Sequence, residues 1–229
     1  MKYTTVLFDA DDTLFDFGAA EHEAITGVLS NFGLPHDESV INEYSRINTG
    51  FWKMLERGEI KKDELKYRRF EAFCEYYGFA VDARAMAEEY MALLSRQNQM
   101  IDGAPEICER LFGKCRLYII TNGIKFIQEG RLSTSPLKKY FDKVFISEVI
   151  GFDKPSREYF DAVVKEIPDF DKSKTLVVGD SLTSDIKGGI NFGFDTCWFN
   201  PKGKDRPDGL SITYEIKTLD EIFDIVTGE

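Results

Sequence analysis

A doubly wound α/β fold with a mostly parallel sheet, carrying an all-helical insertion after the first strand, is what this sequence predicts. Three observations lead there. Short β-branched and aromatic runs recur along the chain, continuous rather than alternating in hydrophobicity, as suits strands covered on both faces of a parallel sheet. Amphipathic helical patterns separate most of those runs, the alternation expected of βαβ units. Between the first run and the second, however, the helical pattern continues without a strand, for a stretch roughly 80 residues longer than a βαβ crossover needs.

The first run, Thr4–Phe8, opens the chain almost at once. The others are Arg116–Thr121 (RLYIIT), Lys143–Ile150 (KVFISEVI), Thr175–Gly179 (TLVVG) and Asp195–Asn200 (DTCWFN). Helices are predicted over about Ala104–Phe112, Phe126–Tyr140 with a break, Ser156–Ile167, Ser184–Phe192 and Leu219–Val226. In the strandless stretch the pattern predicts helices over Glu23–Phe32, Glu38–Leu55, Lys62–Tyr77 and Ala83–Asn98. The organisation expected is a core of residues 1–16 and 101–229, with a helical domain of residues 17–100 between its first two strands.

A hydrophobic share of 43% with 14% aromatics suffices for a packed core and excludes a disordered chain. The formal net charge of −11 leaves no global basic field for a nucleic-acid polymer or an anionic membrane. A small anionic ligand remains admissible where the positive charge is local or carried by a metal. Cys74, Cys108, Cys115 and Cys197 form no CxxC pair and sit among apolar residues, reading as small buried hydrophobes in a reducing compartment. No apolar stretch reaches the ~20 residues of a membrane span, and a strand begins too early for a signal peptide. A cytoplasmic location is expected, and no obligate protein partner is indicated.

Four segments fall at or just after predicted strand ends, where ligands bind in open α/β sheets. They are Asp9-Ala10-Asp11, Thr121-Asn122-Gly123, Lys154-Pro155 and Gly179-Asp180-Ser181-Leu182-Thr183-Ser184-Asp185. Each alone is commonplace, and most lysines are simply solvated. Their joint occurrence, in chain order at strand ends, points to chemistry. The first lies in FDADDTLFDF, which gathers Asp9, Asp11, Asp12 and Asp16 behind a buried strand. Like charges repel more strongly where burial lowers the dielectric, so either the knot is a solvated turn or a cation belongs there. An aspartate that attacks a phosphoryl group forms an aspartyl-phosphate and divides one slow hydrolysis into two easier steps. Two carboxylates two residues apart suit that reaction, one as nucleophile and one to carry protons. Their side chains converge only if the strand breaks at Ala10.

Together the four segments resemble the four motifs of the haloacid dehalogenase (HAD) superfamily, whose members are mostly magnesium-dependent phosphatases. The stretch TNGIKFIQEGRLSTSPLKKYFDKVFISEVIGFDKP resembles these hydrolases over its whole length, and the helical insertion stands where they carry a cap domain of the first type. The resemblance implies an HAD-like core with an aspartyl-phosphate mechanism. In it Asp9 attacks phosphorus, and Asp11 protonates the leaving oxygen and then deprotonates the hydrolytic water. It implies Mg2+ bound by Asp9, the backbone carbonyl of Asp11 and Asp180, with Asp185 and Ser181 in support, Asp185 orienting a metal-bound water. Thr121, Asn122 and Gly123 would hold the phosphoryl oxygens, and Lys154 would supply a fixed positive charge.

Asp12 departs from the commonest pattern, DxDGT, which has glycine there; it reads as a turn residue outside the chemistry. A DxD-D/E-T variant resembles a bacterial subgroup of nucleotidases acting on pyrimidine 5′-monophosphates, and Asn48, Trp52, Gly58 and Arg69-Phe70 look like that subgroup. A small-molecule phosphate monoester, a nucleotide in particular, is the substrate implied. Phe15, Phe17, Phe51 and Trp52 are candidates to stack on a base, while His22 and His36 receive no role. Alternatives are a sugar-phosphate phosphatase or a β-phosphoglucomutase-like mutase, which shares every motif and differs in the cap. A 2-haloacid dehalogenase is disfavoured because the family's dehalogenases lack the second aspartate, present here as Asp11. A phospho-receiver binding module is disfavoured by chain length and by the place of its acidic pair.

Overall fold

The computed structural model describes residues 1–229. Six strands form one sheet: β1 (Thr5–Asp9), β2 (Arg116–Thr121), β3 (Lys143–Ile146), β4 (Thr175–Gly179), β5 (Asp195–Phe199) and β6 (Tyr214–Ile216). Their order is β3-β2-β1-β4-β5-β6, and all five pairings are parallel. The sheet is thus wholly rather than mostly parallel, and its order reverses beside β1, so the crevice between the ends of β1 and β4 is the natural ligand site.

Side chains on the central strands alternate between two apolar layers. Val6 and Phe8 of β1, Leu117 and Ile119 of β2, and Leu176 and Val178 of β4 face one layer. Leu7, Tyr118, Ile120 and Val177 face the other. Helix α5 (Ala104–Leu111) and helix α10 (Ile222–Thr227) cover the first face; helix α8 (Arg157–Lys165) packs Tyr159, Phe160 and Val163 on the second. Burial on both faces explains why these strands read as unbroken apolar runs.

Between β1 and β2 run four helices: α1 (Phe17–Asn31), α2 (Glu38–Glu56), α3 (Lys62–Tyr77) and α4 (Ala83–Leu94). They share a hydrophobic core of their own, which also takes in Ile124 and Ile127 at the start of α6 (Lys125–Thr134). The chain enters and leaves this unit as a short ribbon: the Asp16 N–H donates to Gln99 O at 3.0 Å and the Ile101 N–H to Leu14 O at 3.0 Å. Asp16 caps α1, its carboxylate accepting from the Ala19 N–H at 2.9 Å, so the helix starts six residues before the predicted Glu23.

Two expectations need correction. KVFISEVI is a strand only as far as Ile146; Ser147–Ile150 form a one-turn helix, α7, closed by Gly151 at φ 87°. β3 pairs with β2 alone, over four residues, and Val149 is 63% exposed, so nothing holds the second half in the sheet. The short edge strand β6 went unpredicted because of its three residues only Ile216 is buried, which leaves no apolar run. The remaining helix, α9 (Lys187–Phe192), follows a wide turn at Leu182–Ile186. No helix is long and apolar enough to cross a membrane. All four cysteines are free, three of them buried.

Candidate active site

Asp9 is the last residue of β1, and the strand does break behind it. The Leu14 and Phe15 N–H groups both donate to Ala10 O, at 3.0 and 2.9 Å, and the Asp12 N–H donates to Phe15 O at 2.7 Å. This tight loop requires a left-handed residue, and Asp12 supplies it at φ 58°, a conformation aspartate tolerates better than most. The Asp12 carboxylate accepts from the Phe17 N–H at 3.2 Å, which makes it a turn residue as expected.

Lys154 Nζ lies at the centre of the crevice. It donates to Asp9 Oδ1 at 2.6 Å, Asp185 Oδ1 at 2.7 Å and Ile120 O at 2.8 Å. An ammonium has three protons, and these acceptors take all of them. Its backbone is pinned by the Asn122 side chain, which accepts from the Lys154 N–H at 2.8 Å and donates to Lys154 O at 2.9 Å. Asn122 therefore acts here through its side chain, on the lysine, a role the sequence did not suggest.

Carboxylate oxygens of Asp9, Asp180 and Asp185 lie within 4.8 Å of one another. Asp185, expected to support the ligand set, stands beside the other two. The turn after β4 brings it there. Ser181 Oγ accepts from the Ser184 N–H at 3.3 Å, while the Ser181 N–H donates to Asp185 Oδ2 at 3.2 Å, folding the segment back over the strand end. Only glycine fits beneath it: a Cβ on Gly179 would stand 2.4 Å from Asp185 Oδ2. Asp180 is set by the buried Trp198, whose indole N–H donates to Asp180 O at 2.9 Å. Thr13, fully buried and unforeseen, bridges the pair: its hydroxyl donates to Asp9 Oδ2 at 3.4 Å and accepts from the Asp180 N–H at 3.1 Å.

Asp11 points elsewhere. Its carboxylate pairs with the Arg131 guanidinium and accepts from Gln128 Nε2 at 2.6 Å. Gln128 Nε2 also reaches Thr121 Oγ1 at 2.9 Å, and the Gly123 N–H donates to the same oxygen at 2.9 Å. With both acceptor positions occupied, the Thr121 O–H is left to donate toward the cavity. Gly123 is glycine for space, since a Cβ there would meet Gln128 Nε2 at 2.3 Å. Arg131 is wholly buried, stacks on Phe15 at 4.8 Å, and donates through Nε to Gln97 O at 3.0 Å, in the segment returning from α4. Gln128 and Arg131 were missed by the sequence reading. Their one signal was position: both fall on the apolar stripe Ile124, Ile127, Leu132 of α6.

Four carboxylates here face two cations, Lys154 and Arg131. Burial, then the charge of Asp185, hold Asp9 well above the usual carboxylate range, and the same causes push Asp180 up to about 8. Burial alone would lower Lys154, but Asp185 and Asp9 outweigh it and hold the amine raised. Hard oxygen donors in excess of local positive charge suit a small divalent cation.

A cavity of about 700 Å³ opens over these residues. Asp9, Asp11, Thr121, Asn122, Gly123, Lys154, Asp180, Ser181 and Asp185 all line it, and Phe17, Trp52 and Arg69 close it from the helical side. Of the other stacking candidates, Phe15 is buried beneath Arg131 and Phe51 packs into the helical core. Asn48 lies behind Arg69, Gly58 ends α2 at φ 71°, and Phe70 is buried among the helices. His22 pairs with Glu38 at 3.1 Å and His36 meets Leu34 O at 3.1 Å, both outside the cavity.

Residues 3–193 match the family model described as haloacid dehalogenase-like hydrolase. The chain is 40% identical to the HAD-hydrolase YfnB of Bacillus subtilis over 228 residues, covering 100% of this chain and 97% of that one. The magnesium-bound structure of YfnB, which reveals interdomain movement, superposes with a TM-score of 0.93 over 99% of both chains. Identity is 39% to the pyrimidine 5′-nucleotidase PynA of Streptococcus pneumoniae, over 98% of this chain and 95% of that one. It is 31% to the pyrimidine 5′-nucleotidase YjjG of Escherichia coli, over 97% of each. A parallel sheet with acidic residues at its switch point, a matching family model and full-length relatives agree: the chain belongs to the haloacid dehalogenase-like hydrolases.

Proposed function

We propose that this hydrolase is a magnesium-dependent phosphomonoesterase working through an aspartyl-phosphate, and that its substrates are pyrimidine nucleoside 5′-monophosphates. The observation that carries the reading is the cluster of Asp9, Asp180 and Asp185 around Lys154 at the end of β1. Mg2+ held by Asp9, Asp180 and the Asp11 backbone, beside Asp185, would offset the anionic excess and polarise the phosphoryl oxygens. Residues 1–16 and 101–229 form the catalytic core in this reading, and residues 17–100 the cap.

Asp9 attacks phosphorus as the bond to the leaving oxygen breaks, and Asp11 gives that oxygen a proton. Asp11 then takes a proton from the water that attacks the aspartyl-phosphate, which releases phosphate and restores Asp9. Lys154 offsets charge on Asp9 and on the transferring group, and the Thr121 hydroxyl donates to a phosphoryl oxygen. In the structure Gln128 and Arg131 hold both oxygens of the Asp11 carboxylate, and in this reading Asp11 turns from them to the leaving oxygen. The nucleotide reading is supported by full-length similarity to the two pyrimidine 5′-nucleotidases.

The test is phosphate release from p-nitrophenyl phosphate with and without Mg2+, followed by a panel of nucleoside monophosphates and sugar phosphates. Magnesium-dependent turnover, lost in Asp9→Asn, and preference for UMP, dTMP or CMP are the expected results. No turnover of any monoester overturns the phosphatase, and preference for sugar phosphates overturns the nucleotidase.

A further inference from the structure

Arg69 is 1% exposed and lines the cavity from α3, yet only one edge of its guanidinium is used. Nη1 donates to Asn48 Oδ1 at 2.7 Å. Asn48 donates in turn to Glu21, whose other carboxylate oxygen accepts from Ser45 Oγ at 2.6 Å, so the group is held by a buried chain of polar contacts. The faces of the guanidinium are covered, with the Tyr90 ring at 4.9 Å and the Phe70 ring at 5.4 Å. Nε and Nη2 have no partner at all. These two N–H groups form one side of the planar fork, the arrangement that takes a carboxylate or carbonyl oxygen in the plane. No carboxylate lies within salt-bridge distance of Arg69. Leaving two buried donors unmade is unfavourable, and Arg69 borders the cavity, the space from which an acceptor would come.

We propose that the Nε/Nη2 edge of Arg69 is a specificity site that reads an oxygen acceptor on the leaving group, namely the C2 carbonyl shared by uracil, thymine and cytosine. This deepens the nucleotidase reading and rests on it. Adenine has no exocyclic oxygen, so adenosine monophosphate leaves the fork unpaired. Trp52 lines the same cavity, and its indole is an aromatic group there on which the base would stack.

The experiment compares UMP, 2-thiouridine 5′-monophosphate, 4-thiouridine 5′-monophosphate, AMP and 3-phosphoglycerate with wild type, Arg69→Met and Arg69→Lys. Wild type is expected to favour UMP over the 2-thio nucleotide and over AMP by roughly tenfold or more in kcat/KM, with the 4-thio nucleotide within about threefold of UMP. In Arg69→Met, kcat/KM for UMP falls about 100-fold, chiefly through KM, and the preference over the 2-thio nucleotide collapses. Arg69→Lys keeps the charge and loses the fork, and is expected to lose the preference too. Each preference is a ratio within one preparation, so a poorly folded fraction cannot create or erase it. A wild type indifferent to 2-thio substitution, a 4-thio nucleotide as poor as the 2-thio one, or a preference surviving in Arg69→Met overturns the assignment. Faster turnover of 3-phosphoglycerate, a phosphate monoester bearing a carboxylate, than of every nucleotide overturns the nucleotidase reading instead.

Discussion

Asp12 adds a fourth charge to the acidic loop, but its backbone at φ 58° is what the loop uses. Glycine reaches that conformation without strain, so Asp12→Gly should keep kcat within about threefold of wild type. Asp9→Asn, which removes the proposed nucleophile, should lower it by roughly a thousandfold or more, and steady-state kinetics on an aryl phosphate separates the two. Gly179→Ala tests the site from below. Its methyl would stand 2.4 Å from Oδ2, 2.5 Å from Cγ and 2.6 Å from Cβ of Asp185, so the whole side chain must move and its bond to Lys154 with it. A loss of about 100-fold in kcat/KM is expected, with about 1–3 kcal/mol from overpacking seen in urea unfolding. The strand-end motifs were legible because each follows an apolar run that any reader can mark. Thr13, Gln128 and Arg131 were not, because beyond the local bond of Thr13 to Asp9 each ties the site together through a partner 167, 117 or 120 residues away along the chain.

At the scale of elements, α3 is fastened to the sheet domain by two lysines. Lys62 Nζ donates to Asp153 Oδ1 and to Ser147 Oγ, both at 2.6 Å, and Lys66 pairs with Glu148 of α7. Glu148 also accepts from the Lys125 N–H at 2.6 Å, at the start of α6. These contacts hold Arg69, on the same helix, over the loop that carries Lys154. Lys62→Ala combined with Lys66→Ala should raise KM for a nucleotide about three- to tenfold while changing kcat less. Raising NaCl from about 50 to about 500 mM should raise the wild-type KM more than the double variant's, since salt screens the charged substrate in both proteins but the latch only where it exists. A wild-type KM indifferent to salt would refute the latch. The sequence placed α3 to the residue but misread Ser147–Ile150 as strand, and the reason is physical. A β-branched segment beside an edge strand has no neighbour to pair with, so the local helical turn and its link to Lys66 win.

For the molecule as a whole, the acidic crevice stores unfavourable energy that a cation would relieve. Asp9 and Asp180 are both held above the ordinary carboxylate range by burial and by Asp185, Asp180 up to about 8, so near neutral pH the metal-free fold takes up protons on carboxylates that the unfolded chain leaves ionised, which lowers its stability. A ligand that binds only the folded state stabilises it by about 2.7 kcal/mol at a hundred times its Kd, which for a chain of this size raises the melting temperature by roughly 5–10 °C. Magnesium should give such a shift in wild type, and chelator should remove both the shift and phosphatase activity. Asp180→Asn separates the two halves of the argument. In chelator it should melt above wild type, because a buried acid whose ionised form the fold disfavours is gone, while with magnesium it should show little shift, because a proposed ligand is gone. Differential scanning calorimetry of both proteins, with and without magnesium, reads all four states. An Asp180→Asn protein that melts below wild type in chelator, or one whose magnesium shift survives, would show that Asp180 is a structural carboxylate and that the cation is held elsewhere.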